Sequence, residues 1–281
     1  MAHLENARAR HPASGITSGR AEVRSHSRWS LPEPMPALLI FILLLAVWEW
    51  LVYIQVLSAL FFPAPTTIVR SILQLIKTGA LSSHLGATLS RQFLGFALGG
   101  ASGLAIGLAA GWSPPLRKLV DPFIAAAHPV PKIAILPLVM IIFGLGETSK
   151  VVLIAIAAFF PMVINTMAGV RQIPPLYGEV AKNYGASPMK TFQRIILPGS
   201  LPLILVGTRL ALNMALLLTI AVELVMAQKG LGALIWLAWE TMRIEELYAS
   251  LVVIAVLGIG FNLMLQRIER HLVPWNDNAS I

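Results

Sequence analysis

Cysteine is absent from all 281 residues. That excludes disulfides, cysteine nucleophiles and thiolate metal sites. Charge is scarce too. Asp, Glu, Lys and Arg make up 12% of the chain, about half the share of a soluble domain. Acidic residues are the rarer sign, 13 against 21 basic. The six histidines (3, 11, 26, 84, 128 and 271) show no ligand spacing, and neither H-E-x-x-H nor G-x-S-x-G occurs. A metal site, catalytic residues and enzymatic activity are therefore not expected. Residues 144–150, Gly-Leu-Gly-Glu-Thr-Ser-Lys, fall short of a phosphate loop: Ser149 precedes the lysine and Val151 follows it. The Gly-Lys-Ser/Thr end of that cradle is missing, so ATP is not bound through this motif.

What the chain has in excess is apolar surface. Hydrophobic residues make up 57%, against about 45–50% in soluble chains. This composition belongs to a bilayer, as one membrane domain of several spans. The net charge of +8 and pI near 10.2 raise nucleic acid as a partner. The basic residues are dispersed between apolar segments, however, and leave no basic face for a duplex. Membrane lipid is the expected surrounding. Residues 1–35 contain no apolar run of about 7–15 residues and so do not resemble a secretory signal. They are read as a disordered cytoplasmic tail.

A transmembrane helix needs about 20 mostly apolar residues. Six stretches qualify: Pro36–Leu57, Gln92–Gly111, a proline-interrupted stretch within Leu119–Phe143, Lys150–Val170, Leu201–Met226 and Tyr248–Leu265. The spans and their loops make up residues 36–270, and 271–281 form a C-terminal tail. With the N-terminus inside, thirteen Lys and Arg fall in inner segments (the tail, 117–118, 171–194 and 267–270) against six outside. The excess places both termini and the 171–200 loop in the cytoplasm. In the long outer segment, Ile68, Val69, Ile72, Leu73 and Ile76 recur at helical spacing. An amphipathic helix lying on the outer surface is expected there.

Gly95, Gly99, Gly103, Gly107 and Gly111 recur every fourth residue in the second span. On a helix they form one stripe, suited to close backbone packing in lipid. The stripe fits packing inside one subunit, or a contact between two. The third span carries Pro122, Pro129, Pro131 and Pro137, with Lys132 among them. Broken backbone at membrane depth is tolerated where protein or a water-filled cavity covers it. This region should therefore line something, with Lys132 either part of it or snorkelling to the inner interface. Glu49, between Trp48 and Trp50, reads as interfacial.

Between the fourth and fifth spans stands EVAKNYGASPMKTFQRIILP, residues 179–198. Leu176, Val180 and Tyr184 share one helical face; Glu179, Lys182 and Asn183 take the other. Gly185 sits where a left-handed helix cap is wanted. Ser187-Pro188 reads as N-cap and first residue of a second short helix. Leu197-Pro198 should end that helix, and Ser200 should cap the fifth span. A helix–Gly turn–helix element tied to two spans suits a rigid lever. A DNA-reading helix-turn-helix does not fit, since both ends enter the bilayer; an inert structured loop is the plainer possibility.

The spacing Glu179-x-Ala181, three residues, Gly185, nine residues, Ile195-x-Leu197-Pro198 resembles the "EAA" loop of ABC-importer permeases, with Val180 replacing the central Ala. Pro129-Val-Pro131-Lys132, Phe143-Gly144-x-Gly146-Glu147-x-Ser149-Lys150, Glu223 with Gly230-Leu231-Gly232, and Glu269-Arg270 with Trp275 are similar to the nitrate, aliphatic sulfonate and taurine branch of that family. The resemblance implies an all-α, six-span type I importer permease in a bacterial inner membrane. It implies a coupling helix that docks on an ATPase, with Glu179, Ala181, Tyr184, Gly185, Ala186, Ile195, Leu197 and Pro198 as its residues. It further implies two copies of this chain, two ABC ATPase subunits holding ATP and Mg, and an outer substrate-binding protein. Pro131, Lys132, Pro137, Met140, Arg209 and Glu223 become candidates for a translocation pathway. A small anion is the expected cargo. A neutral heterocycle or vitamin precursor is the rival within the family, and an ATP-independent channel or scaffold the rival outside it.

Overall fold

The computed structural model describes residues 34–274. Residues 1–33, and Trp275 with the rest of the C-terminal end, lie outside the described residues. Among the described residues every regular element is a helix. The chain divides into two compact units after Ala46. The first holds the early part of α1 (Pro34–Tyr53), where Leu38–Leu44 is apolar on every face, as suits a helix surrounded by lipid.

The second unit is built on α3 (Ala80–Trp112), α6 (Glu147–Arg171) and α9 (Leu197–Met226). Each exceeds the roughly 20 residues needed to cross a bilayer. The glycine stripe of α3 lies against α6 of the same chain, from Gly95 at Ile154 to Gly111 at Val170, so the two helices run in the same direction. A Cβ at Gly103 would stand 2.8 Å from the Phe159 carbonyl oxygen, and one at Gly107 2.7 Å from the Thr166 Cβ. The missing side chains are what let these backbones meet. α9 returns antiparallel along α6, with Gly169 at Ser200 and Gly207 at Asn165.

The proline-rich span is two helices, α4 (Pro114–Ala127) and α5 (Leu136–Phe143), joined through a 3-10 turn at Lys132–Ile135 and bent by 90°. Pro129 and Pro131 cannot donate the backbone bonds that would carry α4 onward. Among the described residues, five helices are long and apolar enough to span, and the bent pair counts as a sixth if it crosses as one broken span.

The helix expected on the outer surface is α2 (Pro65–Lys77). It does more than lie on a surface. Ile68 and Leu75 pack against Leu231 and Leu234 of α10 (Leu231–Glu240) and Ala249 of α11 (Ile244–Leu272), while Val69, Leu73 and Ile76 stay exposed. α10, apolar but too short to span, was not foreseen. α11 runs to Leu272, into the stretch read as the C-terminal tail. Glu49 accepts from the backbone N–H (3.1 Å) and the hydroxyl (2.7 Å) of Thr66, tying α1 to the start of α2.

Candidate functional site

The connection between α6 and α9 is ordered by local chemistry. α7 (Pro175–Asn183) opens on a proline, whose missing N–H is no loss at a helix start. It closes at Gly185, with φ +71°. Gly185 N–H donates to the Lys182 carbonyl at 3.0 Å, and Ala186 N–H to the Ala181 carbonyl at 2.9 Å. That pair of bonds is a Schellman cap, which needs a left-handed residue at the glycine. Ser187 Oγ then accepts from Lys190 N–H at 3.3 Å and caps α8 (Pro188–Thr191).

The helix does not end at Leu197-Pro198, contrary to the sequence expectation. Phe192–Ile196 form a π turn in which Leu197 N–H bonds to the Phe192 carbonyl, and the chain continues as α9. The reason is Pro198 itself. Its ring would strike the Arg194 carbonyl in a regular α-helix, and the wider π turn clears it. Pro188–Met226 is therefore one 39-residue helical rod. Ser200 caps nothing; its hydroxyl donates back to the Leu197 carbonyl at 3.0 Å. Trp112, at the end of α3, packs edge-on against Phe192 at 5.7 Å.

The loop turns apolar groups outward. Leu176, Tyr177, Val180 and Met189 are exposed, and Tyr184 is 88% exposed. Glu179 and Gly185 are exposed beside them, whereas Ala181 and Ile196 are buried. Between the loop's two arms lies a hollow of about 750 Å³, lined by Ile173, Tyr177, Arg194, Ile195 and Pro198.

A second concavity, about 440 Å³, opens at the bend between α4 and α5. His128, Pro131, Lys132 and Ile133 form one wall; Phe160 of α6 and Leu217 and Leu218 of α9 form the others. The Lys132 ammonium donates to the carbonyls of His128 and, at 3.4 Å, Ala127. It also stands 4.5 Å from the centre of the Phe160 ring.

The remaining pathway candidates lie elsewhere. Met140 packs beside the Leu136, Val139 and Leu153 cluster, and Pro137 is exposed on α5 away from the pocket lining. Arg209 pairs with Glu269 of α11. Glu223 is fully buried at the end of α9 remote from the loop. There it accepts from Arg91 (2.7 Å), Thr88 (2.9 Å) and the Gly232 N–H (3.1 Å). Arg91 also grips Glu147 at 2.5 and 2.9 Å, and Glu147 accepts from Lys150 at 2.7 Å. This cluster binds α3, α6, α9 and the start of α10.

Residues 102–277 match the family model of the binding-protein-dependent transport system inner membrane component. The chain belongs to this family. It is a membrane component of a transport system, with no enzymatic role of its own. Among its relatives is the taurine transport system permease protein TauC of Escherichia coli (strain K12). That protein is 35% identical over 241 residues, covering 84% of this chain and 88% of TauC. The permease SsuC of Bacillus subtilis (strain 168), named for aliphatic sulfonates transport, is 35% identical over 244 residues, covering 87% of this chain and 88% of SsuC. A solved chain of the inward-facing MetNI methionine ABC transporter superposes with a TM-score of 0.61 at 20% identity, covering 69% of this chain and 95% of that one. That likeness fixes the fold.

The sequence does not announce Arg91 as the centre of this buried cluster. The apolar run places the start of the second span at Gln92 and Arg91 in the outer connection. Leu81, Leu85, Thr88 and Gln92 continue the helical spacing backwards and carried the signal.

Proposed function

We propose that the chain is the membrane-spanning permease of an ATP-driven ABC importer for a small sulfonate-like anion. Two copies, two ATPase subunits holding ATP and Mg, and an outer binding protein complete it. The six-helix domain covers 36–270, with cytoplasmic tails at 1–35 and 271–281. Both termini and the 171–200 loop are cytoplasmic, and the membrane is the bacterial inner membrane. The excess of basic residues in the inner segments supports this orientation.

The observation that carries this reading is the loop. An exposed face of Leu176, Tyr177, Val180, Tyr184 and Met189 is mounted on a rod continuous with α9. Aromatic and methionine side chains of this kind are what protein interfaces select. A partner that moves the face moves the rod, because a Schellman cap and a helix leave no slack between them. The tilt of α9 against α6 opens the bundle to one side or the other. The anion class is supported by the names of TauC and SsuC.

The chain has no native cysteine, so single cysteines report without background. Val180→Cys and Met189→Cys are expected to cross-link to an ATPase subunit in native membranes, and Trp236→Cys at the opposite end is not. Loop cysteines that capture no ATPase, while the protein stays monodisperse, would sink the proposal in favour of a channel or scaffold.

A further inference from the structure

We infer that the pocket at the α4–α5 bend is a transit site for an anion with an apolar tail, an alkanesulfonate in preference to taurine, with Lys132 receiving the sulfonate. This rests on the importer reading above and narrows its cargo.

A lysine ammonium has three N–H donors. Two are engaged by the carbonyls of Ala127 and His128, and the Phe160 ring stabilises the cation from its face. One donor remains for a ligand. Among the described residues, no carboxylate pairs with Lys132; the ion pairs there belong to Arg91, Lys150, Arg209 and Arg243. A cation on the bent, proline-rich segment of a membrane protein, without a carboxylate partner, is set to meet a mobile anion.

The rest of the lining decides which anion. His128 adds one imidazole N–H, and the remaining lining, Ile133, Ala157, Phe160, Met214, Leu217 and Leu218, offers no side-chain hydrogen-bond donor. A small inorganic anion here would keep the Lys132 ammonium and at most the His128 N–H, on one wall, and lose the rest of its hydration. An alkanesulfonate places its head on Lys132 and its methylenes on the apolar wall, where burial is favourable. Taurine carries an ammonium as well. The lining holds no carboxylate to receive it, the nearby carbonyls already serve Lys132, and the lysine itself repels it. The volume of about 440 Å³ falls in the range of small-molecule sites. One cation, not two, also keeps the site weak enough for the ion to leave, as conduction requires.

The test is ATP-driven uptake into proteoliposomes holding the complete transporter, with labelled 1-pentanesulfonate, methanesulfonate and taurine. Each is supplied at saturation, so that delivery by the binding protein is equal and the maximal rate reports passage through the membrane. Wild type is expected to move pentanesulfonate about tenfold faster than taurine. Lys132→Gln should lower the maximal pentanesulfonate rate about tenfold or more, the cost of losing a charged hydrogen bond. Half-saturation and ATPase recovery should not change, and Lys132→Arg should restore most of the rate. Leu217→Asn, at an exposed lining position, should slow pentanesulfonate but not methanesulfonate. Sulfonate uptake that is indifferent to Lys132→Gln, or an equal maximal rate for taurine, overturns this inference and leaves the importer reading standing. A wild type that hydrolyses ATP yet moves no sulfonate overturns both the inference and the sulfonate cargo.

Discussion

Removing the carboxylate of Glu223 takes the acceptor from three donors at once: the Arg91 guanidinium, the Thr88 hydroxyl and the Gly232 N–H. Breaking a buried pair by removing one partner costs about 3–5 kcal/mol. Arg91 is not left alone, because Glu147 and the Lys229 carbonyl still accept from it. The cost of Glu223→Ala should thus sit near the lower end, about 3 kcal/mol, most of it from the two stranded neutral donors at about 1–3 kcal/mol each. Glu147 makes the contrast. Its side chain is 60% exposed, against 0% for Glu223, and glutamine keeps an amide oxygen to accept from Arg91 and Lys150, so Glu147→Gln should cost clearly less than Glu223→Ala. The assay is equilibrium unfolding in mixed detergent micelles, followed by tryptophan fluorescence. Trp236 and Trp239 on α10 lie just past the cluster and report its loss locally. Added salt should erode the Glu147 contribution and leave that of Glu223 intact. Equal effects for the two substitutions, or a Glu223→Ala cost below about 1 kcal/mol, would refute the reasoning from burial.

Two neighbouring glycines of α3 should answer oppositely to alanine. A methyl at Gly99 would overlap the Ala155 carbonyl on α6, so Gly99→Ala should force the helices apart and lower the thermal midpoint in detergent. A methyl at Gly100 meets only the Phe96 ring at 3.6 Å, so Gly100→Ala should be neutral or stabilising, by up to about 1 kcal/mol of helix propensity. Gly185→Val has open space around it but a left-handed backbone, φ +71°. It should cost about 1–2 kcal/mol locally and lower the ATPase recovered with the purified permease, while the unfolding of the helix bundle stays near wild type.

Local features were the legible ones. Gly185, Ser187 and Pro188 announce the loop's caps because the atoms that satisfy them lie within four residues. The glycine stripe announces close packing because its period of four is local, though not which helix fills it. The prolines of the third span announce a break; the 90° bend is set by what the two halves pack against. Long-range pairings were not legible. Arg91 meets Glu147 and Glu223 across 56 and 132 residues of chain, and nothing near Arg91 names either partner. Arg209 and Glu223 looked like intramembrane ionisable groups awaiting a substrate, but each has a carboxylate or guanidinium partner on another helix. The Leu197-Pro198 stop was misread because proline breaks the α pattern without ending the rod. A π turn absorbs the clash, and that choice depends on α9 having to continue.

The central claim is that the rod through the π turn transmits motion from the loop to the membrane helices, and Pro198→Ala tests it most directly. Alanine restores an N–H that can bond to the Arg194 carbonyl, so the π turn can close to α-helix. Closing it turns α8 by about 100° relative to α9, one residue's worth of helical rotation. The measurement is sulfonate uptake and ATP hydrolysis recorded together in one reconstituted preparation of the complete transporter. The account predicts that hydrolysis persists while sulfonate moved per ATP falls about tenfold, the effect of misplacing a rigid coupling element. An unchanged ratio, with the helix shown to have lost its π turn, would contradict it.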